Sequence, residues 1–155
     1  MRTHGGDMAS KGSVSKCPSC GQANRIPWSR LDQKGKCGAC GTELPGVAVP
    51  IELQRPEDFA AIVRESSVPV LVDFWAPWCQ PCLMVAPELK KVAGRRAGQW
   101  LVLKVDTQTH PMIGQAHNVR SIPTMAVFHH GQEIGRTAGA RPAGQIERFV
   151  AETLG

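Results

Sequence analysis

The chain has 155 residues, of which 42% are hydrophobic and 20% are charged. This length is enough for about one ordinary domain with a small appendage, and the composition is that of a globular protein. No run of about 18 apolar residues occurs, so no membrane-spanning helix is predicted. The N-terminus has no apolar core of the kind that a secretory signal needs, so we expect the chain to stay in the reducing cytoplasm.

The formal net charge of +5 lies mainly in the first 45 residues, which hold seven Lys/Arg against three Asp/Glu. A basic segment can indicate a nucleic-acid-binding patch. The same segment holds four cysteines, however, and four thiolates around one divalent zinc would lower its net charge from +4 to about +2. The charge therefore does not favour nucleic acid as the partner.

The chain divides into four predicted segments. Residues 1–15 are polar and rich in Gly and Ser, which predicts a disordered tail. Residues 16–42 contain two C-x-x-C pairs and form the first predicted unit. Residues 43–50 carry two prolines and a glycine, as is typical of a linker. From residue 51 to residue 155, apolar strand patterns alternate with helical patterns.

Five strands are predicted in the second unit, and the first of them precedes the helix at Pro56. Short Val-rich apolar runs at 68–76, 100–106 and 124–129 are typical of buried strands. The turn at His129–Gln132 leads into a last strand at 133–137, so we predict an antiparallel hairpin there.

Helices are predicted between these strands. The first begins at Pro56, the second follows Cys79, a short one lies near 109–117, and the last begins at Pro142. Alternation of this kind predicts an α/β fold, in which helices cover both faces of a parallel core sheet with an antiparallel edge.

The first unit carries the spacing C-x2-C-x16-C-x2-C, formed by Cys17, Cys20, Cys37 and Cys40. This spacing is typical of a four-cysteine zinc site. Four thiolates leave no open position on tetrahedral zinc, so the metal is expected to be structural. Iron in the same cage and two redox disulfides are the alternatives.

The third pair, Cys79 and Cys82, directly follows the first long apolar strand. A helix beginning there offers open amides and a favourable dipole, which stabilise an anion. Cys79 is therefore the predicted thiolate nucleophile, and Cys82 is close enough to attack a mixed disulfide. Pro81 suits a first helical turn, and Trp75 and Trp78 are expected to wall the site. A third metal site and a structural disulfide are the alternatives.

Three stretches resemble the thioredoxin family: V-D-F-W-A-P-W-C-Q-P-C at 72–82, S-I-P-T at 121–124, and G-R-T-A-G-A at 135–140. The resemblance spans about residues 51–155. It implies a thioredoxin fold, with a mixed central sheet flanked by helices, and dithiol–disulfide exchange as the activity. A zinc ribbon ahead of such a domain resembles the thioredoxin 2 type, which implies a cytoplasmic protein that receives electrons from NADPH through thioredoxin reductase.

The resemblance also implies roles for individual residues. Cys79 matches the attacking cysteine, Cys82 the resolving cysteine, and Asp73 the buried aspartate that takes the proton from Cys82. Burial in an apolar strand should raise the pKa of Asp73, whereas a solvated edge position is the alternative. A lysine that often partners this aspartate is interpreted as replaced by Val102, with Lys104 as a partial substitute.

Around the pair, Pro123 matches the family's cis-proline, and Ile122 would offer backbone groups to an extended substrate. A trans turn proline is the alternative. Gly139 would allow close approach of the bound chain. Gln80 stands where the family commonly has Gly, which predicts a reductant slightly less reducing than usual.

The sequence thus predicts a protein-disulfide reductase with one structural zinc, no organic cofactor, and disulfide-containing proteins as substrates. Release of zinc on oxidation would make the first unit responsive to oxidative stress. A redox-sensing adaptor and a disulfide isomerase or oxidase are the alternative functions.

Overall fold

Two short antiparallel hairpins begin the computed structural model, which describes residues 11–155. Strand β1 (Gly12–Lys16) pairs with β2 (Ala23–Pro27), and β3 (Gly35–Lys36) pairs with β4 (Glu43–Leu44). The two C-x-x-C pairs of the first unit lie in the turns of these hairpins. Each hairpin therefore contributes one pair of sulfurs.

The ordered chain begins earlier than the tail pattern suggests. The predicted tail of residues 1–15 overlaps β1 from Gly12 onward, and residues 1–10 lie outside the described part. A Cβ atom at Gly12 would overlap the carbonyl oxygen of Ile26, so only glycine permits this strand pairing. Strand β4 likewise falls inside the predicted linker of residues 43–50.

A five-stranded mixed sheet organises the rest of the described chain. Its strands are β5 (Ile51–Glu52), β6 (Val70–Trp75), β7 (Leu101–Asp106), β8 (Thr124–His129) and β9 (Gln132–Ala138). Their order across the sheet is β5-β7-β6-β8-β9, with β5, β7 and β6 parallel and β8 and β9 antiparallel to their neighbours. The predicted parallel core with an antiparallel hairpin edge is confirmed.

Four α-helices connect or follow these strands: α1 (Asp58–Glu65), α2 (Gln80–Arg95), α3 (Pro111–Ala116) and α4 (Ala143–Leu154). Helix α1 begins two residues later than predicted from Pro56. The reason is a turn at residues 55–57, in which the Asp58 N–H donates to the Arg55 carbonyl. Within residues 11–155, no helix combines the length and the apolar character needed to cross a membrane.

The sheet buries both of its faces, as the continuous apolar strands require. Alternate residues of β6 point to opposite sides. Val70, Val72 and Phe74 pack in the cluster that contains α1, whereas Leu71 packs in the cluster that contains α2 and α4. Asp73 points to the same side as Leu71 and is fully buried.

Trp28 joins the first unit to the five-stranded sheet. It lies in a single turn of 3-10 helix (Trp28–Arg30), is only 2% exposed, and packs in the cluster of α1 and the sheet. Its carbonyl accepts a hydrogen bond from Ser67 at 3.0 Å, and the Ser67 hydroxyl accepts one from the Asp32 N–H at 3.2 Å. The first unit is therefore anchored by a core side chain.

Truncation of this anchor should destabilise the whole protein. We expect Trp28→Ala to lower the free energy of unfolding by about 3–5 kcal/mol, because a large buried side chain is replaced by a cavity. Urea unfolding followed by circular dichroism measures the change. Trp78→Ala is the matched control, since Trp78 is 69% exposed and its loss should change stability by about 0.5 kcal/mol or less. Equal effects of the two substitutions would contradict the anchoring role.

Candidate active site and metal centre

The central cysteine pair lies where β6 ends and α2 begins. Cys79 caps α2, and its sulfur accepts a hydrogen bond from the backbone N–H of Cys82 at 3.3 Å. Pro81 lies in the first turn of the helix. Backbone N–H groups in this turn have no intrahelical acceptor, so a residue without an N–H breaks no helical hydrogen bond there. The two cysteines are joined as a disulfide, with Cα atoms 5.2 Å apart. The pair is therefore shaped for interconversion between dithiol and disulfide.

The Cys79 sulfur lies at the start of a helix. One backbone amide there, that of Cys82, donates to the sulfur, and the dipole of α2 stabilises negative charge at this end. The Cys79 side chain is 5% exposed and that of Cys82 is 2% exposed. Such burial strengthens the hydrogen bond from the amide, whereas desolvation disfavours a charged sulfur, so the two effects of burial oppose each other.

A loop with a cis peptide bond lies against the pair. The Ile122–Pro123 bond is cis, and the Ile122 carbonyl oxygen lies 3.8 Å from the Cys79 sulfur. Gly139 adopts a φ of +98°, and its N–H donates to the Pro123 carbonyl at 2.9 Å. A Cβ atom at Gly139 would meet nothing within 4 Å, so the positive φ rather than space favours glycine. The loops from 121–124 and 135–140 thus meet beside Cys79.

The two tryptophans near the pair differ in exposure. Trp78 is 69% exposed, whereas Trp75 is half-buried and its indole N–H donates to the Glu52 carboxylate at 3.1 Å. Gln80, between the cysteines, is exposed. Trp78 therefore presents an apolar surface to a partner, and Trp75 closes the inner side of the site.

Asp73 is the buried carboxyl of β6, two residues before the strand ends. Its side chain is fully buried, and neither carboxyl oxygen accepts a hydrogen bond from the described residues. Burial raises the pKa of Asp73 to about 7, with Glu52 adding to the increase and the ammonium of Lys104 opposing it. A carboxyl with this pKa can both accept and release a proton near neutral pH.

The interpretation of Val102 as the position opposite Asp73 is wrong. In the register of β6 and β7, Asp73 lies opposite Lys104, and Val102 lies opposite Leu71. The partner lysine is thus present in the chain. The Lys104 ammonium nevertheless lies over the Trp75 ring, 4.4 Å from its centroid, and gives Asp73 no hydrogen bond.

Sequence reasoning missed Glu52. It lies on β5 opposite Lys104 and accepts the hydrogen bond from Trp75. Burial raises the pKa of Glu52, against the hydrogen bond from Trp75 and the charge of Lys104. A two-residue strand is too short to show an alternating pattern, so only its place in the sheet identifies this acid.

The four cysteines of the first unit converge as their spacing predicts. Their sulfur atoms all lie within 4.8 Å of one another. Contacts of 3.6 Å join Cys17 to Cys40 and Cys20 to Cys37, so each contact crosses between the hairpins. Tetrahedral zinc with Zn–S distances of about 2.3 Å would set sulfurs about 3.8 Å apart, and the cluster fits such an ion.

Backbone amides support two of these sulfurs. The N–H groups of Ser19 and Ala39 approach the sulfurs of Cys17 and Cys37 at 3.4 Å. Hydrogen bonds from the Cys40 and Ala39 amides lower the pKa of Cys37 to about 6. The pKa of Cys20, in contact with Cys37, is raised to about 12, so one sulfur of this pair is held as a thiolate and the other as a thiol in the absence of a cation. A metal ion would need both as thiolates.

The turns of the two hairpins repeat one geometry. Gly21 and Gly41 adopt φ values of +80° and +77° and donate to the carbonyls of Cys17 and Cys37 at 2.9 Å. Positive φ favours glycine at both positions and folds each C-x-x-C around its sulfurs. The cluster therefore arises from two equivalent turns.

Two family models match the chain, one over the four-cysteine unit and one over the part that contains the five-stranded sheet. The family model described as "Thioredoxin" matches residues 50–152, and the model described as "Thioredoxin 2, N-terminal", a zinc ribbon, matches residues 16–42. The first match covers well over half of the chain. The second coincides with the four-cysteine cluster.

Individual proteins agree with the family match. The chain is 37% identical to "Thioredoxin C-3" of Corynebacterium nephridii over 139 residues, which are 89% of this chain and 93% of that protein. It is 39% identical over 113 residues to the "Bifunctional thioredoxin reductase/thioredoxin" of Mycobacterium leprae, covering 73% of this chain and 24% of that protein. A mutant thioredoxin of Halobacterium salinarum has a similar fold, with a TM-score of 0.63 at 23% identity, covering 69% of this chain and 92% of that chain. The chain therefore belongs to the thioredoxin family and is a thiol–disulfide oxidoreductase, with a four-cysteine unit of the zinc-ribbon type before its thioredoxin domain.

Proposed function

We propose that the chain works as a protein-disulfide reductase, in which Cys79 attacks and Cys82 resolves. The observation that carries this assignment is the position of Cys79 at the start of α2, where its sulfur accepts the Cys82 amide hydrogen bond. The same helix start offers the Cys82 sulfur no equivalent amide among the described hydrogen bonds. Cys79 is therefore the better nucleophile of the two.

The reaction begins with the Cys79 thiolate attacking one sulfur of a substrate disulfide. The substrate S–S bond breaks, one substrate sulfur leaves as a thiolate, and a mixed disulfide with Cys79 forms. Cys82, once deprotonated, attacks the Cys79 sulfur and releases the second substrate thiolate. Two electrons have then passed to the substrate, and the chain holds the Cys79–Cys82 disulfide.

Asp73 is the proposed base for the second step. Its raised pKa lets the carboxylate take the proton of Cys82 near neutral pH, through water. Asp73 near the end of β6 and Cys82 at the start of α2 are both buried. Bulk water therefore has little access to the Cys82 thiol, which favours a base inside the protein.

Substrate binding is proposed at the surface around Cys79. The Ile122 backbone, held by the cis bond to Pro123, would pair with an extended substrate segment as a short added strand. Gly139 leaves open space beside it, and exposed Trp78 offers an apolar contact. Because this contact uses backbone groups, it suits substrates of many sequences.

The four-cysteine unit is proposed to hold one zinc ion, bound by Cys17, Cys20, Cys37 and Cys40. Zinc in a complete thiolate cage supplies structure and leaves no position for substrate. The four thiols must stay reduced to bind the metal, which favours the reducing cytoplasm as the location. Iron in the cage is the alternative ion.

Thioredoxin reductase, supplied by NADPH, is the proposed source of electrons that restores the dithiol. The match to a relative named as both reductase and thioredoxin supports this pairing, because reductase and thioredoxin occur there in one chain. Proteins with exposed disulfides are the proposed substrates. Neutral Gln80 adds no positive charge beside the thiolate, which favours a reducing potential closer to about −270 mV than to about −120 mV.

Substitution of each cysteine by serine should have a different effect on the reaction. We expect Cys79→Ser to abolish NADPH-dependent reduction of insulin disulfides with thioredoxin reductase, because no thiol remains to attack. Cys82→Ser should still attack and then accumulate as a mixed disulfide with substrate, visible by mass spectrometry. Turnover by the Cys79→Ser variant would contradict the assignment of Cys79 as the attacking cysteine. A measured potential of about −180 mV or above would instead favour a disulfide isomerase.

Metal content tests the division of the six cysteines. We expect one zinc per chain and two titratable thiols in the reduced protein, and mild peroxide should remove these two thiols before it releases zinc. Removing zinc with a strong chelator should expose four more thiols and lower the unfolding temperature, since metal binding contributes folding free energy. Elemental analysis that finds no metal, two metals or iron would contradict the assignment.

Ionisation of Asp73 should cost stability as the pH rises. Its pKa is 3.8 in its ordinary state and about 7 when folded, so the folded protein binds this proton more tightly than the unfolded chain. The stability from this group is present at low pH and is lost as the pH rises through 7. We expect the wild type to lose roughly 3 kcal/mol more than Asp73→Asn between pH 4.5 and pH 8.5, measured by urea unfolding of the oxidised proteins. Parallel curves for the two proteins would show that Asp73 titrates normally.

A further inference from the structure

A row of charged side chains crosses the sheet beneath the active site. Glu52 on β5 lies opposite Lys104 on β7, and Lys104 lies opposite Asp73 on β6. Residues opposite each other in neighbouring strands point to the same face. The row therefore runs carboxylate, ammonium, carboxylate on the face that carries α2.

Trp75 draws the Lys104 ammonium toward one end of this row. Its indole N–H donates to Glu52 at 3.1 Å, and its ring lies under the Lys104 ammonium, 4.4 Å from the centroid. Both the edge and the face of the indole are thus occupied by members of the row. At the other end, Asp73 accepts no hydrogen bond from the described residues.

We propose that Glu52 is a positioning residue for the redox reaction. It holds the Trp75 indole in place and attracts the Lys104 ammonium onto the indole ring, so that Lys104 does not form an ion pair with Asp73. This inference rests on the proposed role of Asp73 as the base for Cys82. Without the negative charge of Glu52, the flexible Lys104 side chain would turn toward the one charge that remains in its row. That charge is the Asp73 carboxylate, which would then bind its proton less tightly.

The electrostatic directions agree with this geometry. The charge of Glu52 raises the pKa of Asp73, and the charge of Lys104 lowers it. Besides Lys104 and Trp75, Glu52 is influenced by Asp106, which raises its pKa, and by His110, which lowers it. These groups belong to β6, β7 and the loop before α3.

The row also has an opening to the surface. Glu52 and Lys104 line a surface pocket of about 320 Å³ together with Lys90 of α2. Asp73 is not among the residues that line the pocket. Solvent and salt can therefore reach Glu52 and Lys104 but not Asp73. A change in the charge of Glu52 or Lys104 affects Asp73 through its electrostatic interaction with them.

Three substitutions in the full-length protein test the inference. Glu52→Gln keeps an oxygen that can accept the Trp75 hydrogen bond but removes the charge. Lys104→Met removes the opposing charge, and Asp73→Asn removes the carboxyl itself. The Asp73 midpoint is read from the carboxyl ¹³C resonance of the oxidised protein, in which neither Cys79 nor Cys82 titrates.

We expect Glu52→Gln to lower the Asp73 midpoint and Lys104→Met to raise it, each by on the order of one pH unit. The rate at which Cys82 resolves the mixed disulfide should fall at low pH, and the midpoint of this fall should shift in the same directions in the two variants. Glu57→Gln is the matched control, because Glu57 is exposed and lies outside the row, and it should leave the midpoint unchanged. The Trp75 indole N–H resonance reports whether the indole stays in place.

The outcomes separate a failure of the role of Glu52 from a failure of the role of Asp73. An unchanged or raised midpoint in Glu52→Gln overturns the inference, whether or not the indole resonance moves. A shift of the same sign in Glu52→Gln and Lys104→Met overturns it as well. If the titration near pH 7 persists in Asp73→Asn, the group is not Asp73, and the proposed base fails independently of Glu52.

Discussion

The hydrogen bond from the Cys82 amide to the Cys79 sulfur, at 3.3 Å, joins the end of β6 to the start of α2. It exists because an apolar strand ends at Trp75 and a helix can begin at Gln80 within the next few residues. Burial of β6 on both faces fixes the position of this junction relative to the sheet. The loop at Ile122–Pro123 lies beside this sulfur, with the Ile122 carbonyl oxygen 3.8 Å from it. The positions of the cysteine pair and of the cis-proline loop beside it thus depend on one junction between strand and helix.

The same burial that fixes the junction sets the protonation of Asp73. A strand that must be apolar on both faces carries one acid, and desolvation raises the pKa of this acid to about 7. The free energy lost when Asp73 ionises is the cost of having an ionisable carboxyl inside the sheet. Trp28 adds apolar contact on the opposite face of the sheet, in the cluster of α1. The first unit therefore contributes to the stability of the same sheet that Asp73 weakens.

Local patterns in the sequence predict the elements well, because they depend on residues close together in the chain. The Val-rich runs predict β6, β7 and β8, and Pro142 predicts the start of α4 to within one residue. The cysteine spacing predicts the four-sulfur cluster, since each turn is set by its own glycine at Gly21 or Gly41. These features need no knowledge of how distant strands align.

Features that depend on strand register were not predictable in this way. The partner of Asp73 is Lys104, two residues beyond the interpreted position, Val102. Both residues lie on the same face of β7, so the alternating pattern of the strand does not distinguish them. Glu52 matters only because β5 aligns with β7, and Trp28 only because the first unit folds back onto the sheet. Helix α1 starts late because a turn at residues 55–57 competes with the first helical turn.

Identical C-x-x-C spacing leads to two chemistries in this chain because the backbone around each pair differs. At Cys79, the sequence continues into a helix, so the two sulfurs of the pair face each other and can join as a disulfide. At Cys17 and Cys37, a glycine with positive φ closes a turn, and each sulfur has its 3.6 Å contact with a cysteine of the other hairpin. Four thiolates brought together in this way would repel one another without a cation. The cluster is thus suited to a metal ion, whereas the pair at the helix start is suited to the exchange of electrons.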